Sequence, residues 1–249
     1  IGGGPGGYVA AERLGASHQG GAKIKVLLVE KAALGGTCLN VGCIPTKTLL
    51  NSAKLYVHAL EGEKYGVKAQ NVSYDWKAMQ AWKAEVVEKL RGGVAMTEKK
   101  LGVEVVQAEA KLLGPGKVEV SSPGGGAGQV HEAKSIIIAT GSVPAMPPIP
   151  GVKDNPKVVD STALLSLHEV PKRLCVIGGG VIGVEFAGLF AALGCSVEVV
   201  EMMDEIVPFM DKELSPVLRR AMKGVSFRLG CKVERIEGAT VCYKTKEGA

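Results

Sequence analysis

Aromatic side chains and dense charge of one sign are both scarce in this chain of 249 residues. Only 4% of the residues are Phe, Trp or Tyr, and 30 basic residues stand against 25 acidic ones, for a net charge of +5. The dense basic stretches are short, such as Lys99 and Lys100, which follow Glu98 directly. This distribution indicates a solvated surface rather than one shaped to neutralise a phosphate backbone, so we expect no nucleic acid partner.

Signals for secretion and membrane insertion are also missing. No charged segment followed by an apolar run opens the chain, so no secretory signal peptide is visible. The long apolar stretch 174–200 contains six glycines and Glu185, which favours strand, turn, helix and strand over a membrane helix. A hydrophobic content of 46% with 34 glycines predicts a soluble, packed α/β protein without a membrane partner.

The six cysteines do not form the framework of a small secreted protein. Four of them are dispersed among apolar, strand-like positions: Cys175, Cys195, Cys231 and Cys242. Only Cys38 and Cys43 form a local pair. The chain is long enough to build a core without disulfides, so this pattern favours a reducing compartment and one reactive pair.

Glycine is abundant, and its first cluster forms a nucleotide-binding pattern. Gly2, Gly4 and Gly7 occupy the three positions of G-x-G-x-x-G, and a predicted helix and a strand ending at Glu30 follow. The glycines allow a tight turn, close approach of the backbone to a pyrophosphate and close packing of helix on strand. A carboxylate at the strand end can accept hydrogen bonds from ribose hydroxyls. The segment predicts a dinucleotide-binding unit.

The second half of the chain repeats this pattern more completely. Strand 174–177 leads to Gly178, Gly180 and Gly183, then to a helix and a second strand ending at Glu201. A carboxylate in that position favours a free ribose 2′-hydroxyl, and no arginine follows directly to hold a 2′-phosphate. The unit therefore predicts binding of NAD rather than NADP.

Between the two repeats, Cys38 and Cys43 lie at or near the start of a predicted helix. The partial positive charge of a helix N-terminus stabilises a thiolate, and Lys47 adds a positive charge nearby. Five residues of regular helix rise about 7.5 Å, whereas bridged cysteines need Cα atoms within roughly 7 Å. If the two pair, the backbone between them is not ideal helix, and Asn40 and Gly42 are best able to absorb the distortion. The alternative is two buried cysteines that act as small apolar side chains.

The remaining segments predict ordinary structural elements. An amphipathic helix begins near residue 75 and predicts core positions at Trp76, Met79, Trp82, Val86 and Leu90. Segments 102–110 and 117–120 are typical of antiparallel strands, and 121–130 of an exposed glycine-rich turn. Segment 136–144 predicts a buried strand that enters a small-residue turn, and the proline-rich stretch after it places a domain boundary near Pro150.

Taken together, these motifs resemble one enzyme family. Two dinucleotide folds in tandem with C-x4-C just after the first are the layout of the flavin disulfide reductases, the class I pyridine nucleotide–disulfide oxidoreductases. The stretches G-G-T-C-L-N-V-G-C-I-P-T-K, I-I-A-T-G-S and G-G-G-V-I-G-V-E-F resemble the dihydrolipoamide dehydrogenase group within it. The resemblance implies an α/β fold of two Rossmann-like domains with parallel sheets, an FAD-binding domain over 1–150 and an NAD-binding domain over 151–249. Both domains would be incomplete, and the C-terminal interface domain would be absent.

The resemblance also implies two cofactor sites. The FAD site would comprise Gly2, Gly4, Pro5, Gly7, Glu30, Lys31, Gly36, Thr37, Lys47, Ala110, Thr140, Gly141 and Ser142. The NAD site would comprise Gly178, Gly180, Val181, Ile182, Gly183, Glu201 and Val233. Glutathione reductases tend to have tyrosine, alanine and basic residues where this chain has Val181, Gly183 and Glu201, which again favours NAD.

Four residues would carry the chemistry implied by the resemblance. Cys38 would exchange with dihydrolipoamide, and Cys43 would face the flavin. Lys47 would lie near the reactive edge of the isoalloxazine, where its charge favours reduced flavin. Glu185 would pair with Lys47 beside the nicotinamide; the alternative is a carboxylate on a helix surface. Electrons would pass from dihydrolipoamide through the Cys38–Cys43 disulfide and FAD to NAD⁺, with no metal site.

The resemblance further implies partners and a location. The complete enzyme would act on the lipoyl domain or dihydrolipoamide of a 2-oxo acid dehydrogenase complex, as a homodimer, in bacterial cytoplasm or the mitochondrial matrix. The chain is expected to be truncated at both ends. The family's acid/base histidine and glutamate have no counterpart here, so we expect weak flavin binding and no full turnover from this chain alone. Rival interpretations are another disulfide reductase, such as mercuric reductase, and a non-catalytic nucleotide-binding or scaffold fragment.

Overall fold

The computed structural model describes residues 1–124 and 128–245, and the chain divides into two compact units. The first comprises Ile1–Pro45 and Ala84–Val143, and the second comprises Thr46–Lys83 and Pro144–Ala249. The sequence predicts two continuous domains, 1–150 and 151–249. In the structure, residues 46–83 belong to the second unit. The assignment of FAD and NAD to separate domains stays a prediction.

The first unit combines a parallel strand pair with an antiparallel sheet. Its elements in chain order are α1 (Pro5–Gly15), β1 (His18–Gln19), β2 (Ala22–Lys23), β3 (Leu27–Glu30), α2 (Gly36–Val41), the start of α3 (Cys43–Glu61), the end of α4 (Trp76–Leu101), β4 (Glu104–Gln107), β5 (Glu109–Gly114), β6 (Lys117–Ser121) and β7 (Gln129–Glu132). Strands β3 and β4 are parallel. Strands β5, β6 and β7 form an antiparallel sheet, and β1 and β2 a short hairpin.

The second unit is built on a parallel βαβ arrangement. It holds most of α3, a 3₁₀ helix (Gly62–Tyr65), the start of α4, α5 (Ser161–Leu164), β8 (Arg173–Ile177), α6 (Val181–Ala192), β9 (Ser196–Val200), α7 (Leu214–Ala221), β10 (Val225–Arg228), β11 (Lys232–Glu237) and β12 (Thr240–Lys244). The sheet order is β10-β9-β8, with all strands parallel, and β11 and β12 pair antiparallel. The expected α/β class with parallel strands is confirmed.

Helix α6 forms the centre of the second unit's core. Leu189 and Phe190 are 0% and 1% exposed and pack in one cluster with Val199 of β9 and with Trp76. An almost wholly apolar helix such as α6 is stable only when neighbours cover it on most sides. The apolar stretch 174–200 therefore forms the strand, turn, helix and strand that the sequence predicts.

Strand β3 is buried on both faces in the first unit. Leu28 packs with Ala11 of α1, whereas the next residue, Val29, packs with Val118 and Val120 of β6. Successive side chains of a strand point to opposite faces, so one strand contributes to two clusters. This double burial is typical of a parallel sheet covered on both sides.

Two strand predictions are wrong. Segment 104–107 forms β4 and pairs parallel with β3, so only β5 and β6 make the predicted antiparallel pair. Segment 136–144 is not a strand, and Ile137 and Ile138 are 46% and 61% exposed. It runs beside Ile1, which donates to the Ile137 carbonyl and accepts from the Ala139 amide.

The amphipathic helix is longer and less regularly buried than predicted. Trp76 and Met79 are buried and Val86 is half-buried, but Trp82 and Leu90 are 49% and 42% exposed, so those two core predictions are wrong. Helix α4 contributes to both units, and one apolar stripe does not stay buried along it. In the predicted turn 121–130, residues 125–127 lie outside the described part of the chain.

Candidate functional site

The first glycine turn has room for glycine alone at two positions. Gly2 has φ +99°, and a Cβ there would lie 2.2 Å from the Ala139 carbonyl oxygen. A Cβ on Gly7 would lie 1.7 Å from the Gly2 oxygen. Helix α1 begins at Pro5, with no acidic residue in its first turn and no side-chain cap at Gly4. Exposed backbone N–H groups at a helix start suit a phosphate, so this geometry fits a dinucleotide.

The segment that precedes α2 packs directly on this turn. The Gly35 amide donates to the Gly3 carbonyl oxygen at 2.8 Å. Gly36 has φ +59°, and a Cβ there would lie 2.6 Å from the Gly4 Cα. The start of the cysteine-bearing segment is therefore in backbone contact with the nucleotide-binding turn.

The second glycine turn reproduces the main hydrogen bond and the close packing of the first. The Gly178 amide donates to the Val200 oxygen at 2.9 Å, as the Gly2 amide donates to the Val29 oxygen at 2.8 Å. A Cβ on Gly183 would lie 2.3 Å from the Gly178 oxygen. Helix α6 also starts without a side-chain cap or an acid in its first turn. The structure thus contains two turns of one design, one in each unit.

The strand-end acids bind the turns themselves, which sequence reasoning missed. Glu30 Oε2 accepts from the Gly3 amide at 2.6 Å, and Oε1 accepts from the Ala32 amide at 2.8 Å. In the second unit, Glu201 accepts from the Gly179 amide at 2.5 Å and from the Met203 amide at 2.6 Å. Each carboxylate oxygen has a second lone pair for a ribose hydroxyl.

The two acids differ in accessibility. Glu30 is half-buried, whereas Glu201 is only 8% exposed. The sequence signal for these hydrogen bonds was the middle glycine of each turn, Gly3 or Gly179. Its backbone N–H needs an acceptor, and the strand-end carboxylate provides one. Both carboxylates therefore stabilise the turn, whether or not they also bind ribose.

The two cysteines lie on either side of a helix break. Helix α2 ends at Val41 and α3 begins at Cys43, and Gly42 between them has φ −141° and ψ −113°. A Cβ on Gly42 would lie 2.9 Å from the Thr37 carbonyl oxygen. The backbone between the cysteines departs from ideal helix at Gly42, one of the two residues expected to absorb a distortion if the cysteines pair. That they pair stays a prediction.

The cysteine environments favour a reactive pair over a structural one. Cys38 is half-buried in the first half of α2, and Cys43 is exposed as the first residue of α3. Exposure of Cys43 does not fit two buried apolar cysteines. Elsewhere in the second unit, desolvation of the thiol first and the Glu198 carboxylate second raise the pKa of Cys175 to about 11.

Lys47 and Glu185 form an ion pair in the second unit. The Lys47 ammonium lies 2.6 Å from Oε1 and 2.8 Å from Oε2 of Glu185, and the side chains are 55% and 27% exposed. Ion pairs this exposed contribute about 0–1 kcal/mol to stability. The pair is therefore easily opened by a ligand that competes for either group.

The other residues assigned to cofactors lie in varied environments. Thr140 contacts the first turn, since its Cα would lie 3.1 Å from a Cβ on Gly2. The exposed members are Lys31, Thr37, Thr140, Gly141, Ser142, Val181 and Ile182, and Ala110 is half-buried in β5. Val233 is 8% exposed and packs with Val200 and Cys231. Their roles in binding stay predictions.

Residues 1–124 and 128–245 contain no group of three or more His, Cys, Asp and Glu side chains placed to hold a metal ion. No helix in these ranges has the length and apolar run needed to cross a bilayer.

Comparison with known proteins agrees with the paired turns and the cysteine segment. The family model described as pyridine nucleotide-disulphide oxidoreductase matches residues 1–249. The dihydrolipoyl dehydrogenase of Mycoplasma pneumoniae is 42% identical over 98% of this chain and 52% of its own length. That of Bacillus subtilis is 42% identical over 99% of this chain and 52% of its own length. That of Acholeplasma laidlawii is 41% identical over 98% of this chain and 71% of its own length.

Solved structures show the same relationship. The HOCl-induced flavoprotein disulfide reductase RclA from Escherichia coli is 30% identical, with a TM-score of 0.80 over 100% of this chain and 52% of the other. The chain thus spans about half the length of most of these relatives. Because the family match extends from the first residue to the last and the relatives agree over nearly all of it, the chain belongs to the pyridine nucleotide–disulphide oxidoreductase family.

Proposed function

We propose that this chain is the redox portion of a flavin disulfide oxidoreductase that passes electrons from dihydrolipoamide, through Cys38, Cys43 and FAD, to NAD⁺. The observation that carries the proposal is the helix break at Gly42, which leaves Cys43 exposed at the start of α3, five residues after Cys38. The names of the relatives, dihydrolipoyl dehydrogenases, support the choice of dithiol substrate.

The proposed dithiol exchange proceeds in two balanced steps. A dihydrolipoamide thiolate attacks the Cys38 sulfur of the Cys38–Cys43 disulfide, forms a mixed disulfide and releases Cys43 as a thiolate. The second dihydrolipoamide thiol then closes the cyclic disulfide of lipoamide and releases Cys38. The substrate loses two electrons and two protons, and the protein gains a dithiol. The partial positive charge at the start of α3 would stabilise the released Cys43 thiolate.

The two glycine turns would hold the two cofactors. The first turn, with Glu30, would bind FAD, and the second, with Glu201, would bind NAD⁺. Bound FAD would supply the two-electron relay between dithiol and nicotinamide. The chain's own contribution is to hold each pyrophosphate at an uncapped helix start, where close packing of the turn glycines keeps side chains out.

The Lys47–Glu185 ion pair places a positive charge beside the proposed flavin site. Glu185 holds the Lys47 ammonium through both carboxylate oxygens. In this proposal the positive charge of Lys47 favours reduced flavin beside it, and Glu185 fixes the position of the Lys47 ammonium.

The proposed setting is a larger assembly. The lipoyl domain of a 2-oxo acid dehydrogenase complex would deliver dihydrolipoamide, and a second copy of the complete protein would supply the acid/base histidine and glutamate. The bacterial relatives support a cytoplasmic location.

A single-turnover measurement tests the proposal without requiring full turnover. Trypsin cleaves after Lys31 and Lys47, so peptide 32–47 contains Cys38 and Cys43 and no other cysteine. We expect one equivalent of dihydrolipoamide to convert the oxidised peptide to a form with two alkylatable thiols and to release one equivalent of lipoamide. Alkylation followed by mass spectrometry measures the first, and chromatography the second.

Cysteine variants provide the controls. Cys38→Ser and Cys43→Ser should each abolish lipoamide formation, whereas Cys175→Ser should leave it unchanged. Lipoamide formation that survives both serine variants would overturn the proposal. A wild-type peptide that never forms the disulfide would favour a non-catalytic nucleotide-binding protein, and reduction of Hg²⁺ without lipoamide formation would favour a mercuric reductase.

A further inference from the structure

Asn40 lies between the two cysteines and has its amide hydrogen-bonded on both sides. Its Nδ2 donates to the carbonyl oxygens of Leu34 and Gly36, both at 2.9 Å. Its Oδ1 accepts from Arg91 Nε at 3.1 Å and from Arg91 Nη2 at 2.9 Å. One half-buried side chain thus connects α2, the segment before it and a helix 51 residues further along the chain.

Arg91 reaches Asn40 from α4 through the forked edge of its guanidinium. Two N–H groups donate to one oxygen, a geometry that the single ammonium of lysine does not reproduce. The remaining donor, Nη1, pairs with Glu88 at 2.9 Å, and that carboxylate is 70% exposed. Hydrogen bonds from a charged donor to a partly buried acceptor are stronger than exposed ion pairs, so the contact with Asn40 dominates.

Helix α2 needs this outside support. It has six residues, is preceded by Gly35 without a side-chain cap, and ends at Val41, directly before the break at Gly42. Isolated helices shorter than about 12 residues are marginal in water, so tertiary contacts determine whether such a segment keeps its geometry. Helix α4 has 26 residues and provides a firmer base.

We infer that Arg91 is a positioning residue for the Cys38–Cys43 couple and acts through Asn40. The inference deepens the proposed function, on which it rests. Arg91 holds α2 in the orientation that keeps the Cys38 sulfur within reach of Cys43 across the break at Gly42. It thereby raises the effective concentration of one thiol at the other. A higher effective concentration raises the equilibrium constant for formation of the Cys38–Cys43 disulfide.

Equilibration with reduced and oxidised glutathione tests this inference in the intact protein. Oxidised glutathione accepts the two electrons as the Cys38–Cys43 disulfide forms, and alkylation of peptide 32–47 reports the extent of oxidation. We expect Arg91→Met to lower the equilibrium constant for disulfide formation by about tenfold, which is about 30 mV for a two-electron couple. Arg91→Lys should restore part of this loss.

Two further variants separate positioning from general stability. Glu88→Gln removes only the exposed ion pair of Arg91 and should change the constant less than about twofold. Asn40→Leu, which also removes the hydrogen bonds to Leu34 and Gly36, should lower the constant at least as much as Arg91→Met. Adding Arg91→Met to Asn40→Leu should cause little additional loss, since Arg91 acts through Asn40. A purely structural role would lower the melting temperature and leave the equilibrium constant of the folded protein unchanged.

The outcomes are distinguishable. If wild type forms the disulfide and Arg91→Met has an unchanged or higher constant, the positioning role is overturned and the proposed function stands. If wild type forms no Cys38–Cys43 disulfide at any glutathione ratio, the proposed redox centre is overturned, and the inference falls with it.

Discussion

Glu98 is a buried acid that the proposed chemistry does not use. It is 0% exposed on α4, and within the described residues neither carboxylate oxygen has a hydrogen-bond partner. Burial first and the Glu12 carboxylate of α1 second raise the pKa of Glu98 from 4.5 to about 7. Because a buried charge without a partner is unfavourable, the protein folds more readily when Glu98 is protonated.

This raised pKa predicts a pH-dependent stability of defined sign. Between pH 4.5 and about 7 the folded state binds a proton that the unfolded state has lost, so the free energy of unfolding falls as pH rises. The loss is nearly complete at pH 8 and totals about 3.4 kcal/mol, from about 1.36 kcal/mol per pKa unit, of which about 2.5 kcal/mol falls between pH 5 and pH 8. Urea unfolding at pH 5 and pH 8 should show this difference in wild type.

Glu98→Gln should remove most of the difference between the two pH values. Glu104→Gln, which alters an exposed acid at the start of β4, is the matched control and should keep it. Equal pH dependence in wild type and Glu98→Gln would assign the effect to other groups.

At the scale of the elements, helix α1 packs against the first glycine turn through one glycine. A Cβ on Gly7 would lie 1.7 Å from the Gly2 carbonyl oxygen, whereas a Cβ on the adjacent Gly6 would have only the Ala139 Cβ nearby, at 3.6 Å. The two positions share a helix turn and differ in what they face. The close approach of α1 to the turn therefore depends on Gly7 alone of these two.

The contrast predicts opposite effects of the same substitution. Gly7→Ala should destabilise the protein by about 1–3 kcal/mol, because the helix must move away from the turn. Gly6→Ala should be neutral or stabilising by up to about 1 kcal/mol, from better helix propensity. Thermal unfolding monitored by circular dichroism compares the two, and equal effects would contradict the packing described for α1.

At the scale of the whole molecule, the two units carry the same turn design with different accessibility of the acid. The hydrogen bonds from Gly3 to Glu30 and from Gly179 to Glu201 correspond, as do those from Ala32 and Met203. Two copies of one design suit two ligands of one class, which is what a protein that joins two dinucleotides needs.

The duplication predicts that the cofactors are lost independently. Glu30→Gln should weaken flavin retention about tenfold or more and leave NADH binding unchanged, and Glu201→Gln should do the reverse. Flavin fluorescence after gel filtration and NADH titration followed by calorimetry measure the two affinities. If each variant impaired both ligands equally, the assignment of one cofactor to each turn would be wrong.

The sequence by itself determined the features that depend on local backbone geometry. The two glycine turns, the strands that lead to Glu30 and Glu201, and the helix break at Gly42 are each signalled by residues within one short segment. Local φ and ψ there, and the close packing of Gly7 on Gly2 and of Gly183 on Gly178, are set by near neighbours. The roles of the cofactor residues rest on family resemblance and stay predictions.

Only the tertiary structure decided the features that depend on residues far apart in the chain. The parallel pairing of β3 with β4, the exposure of Ile138, the burial of Glu98 and the contact of Arg91 with Asn40 have no local signature. Each depends on which neighbour a segment meets after folding, and helical or strand periodicity does not carry that information. For the candidate site, the sequence located the cysteines, and the fold identified the side chains that hold them in place.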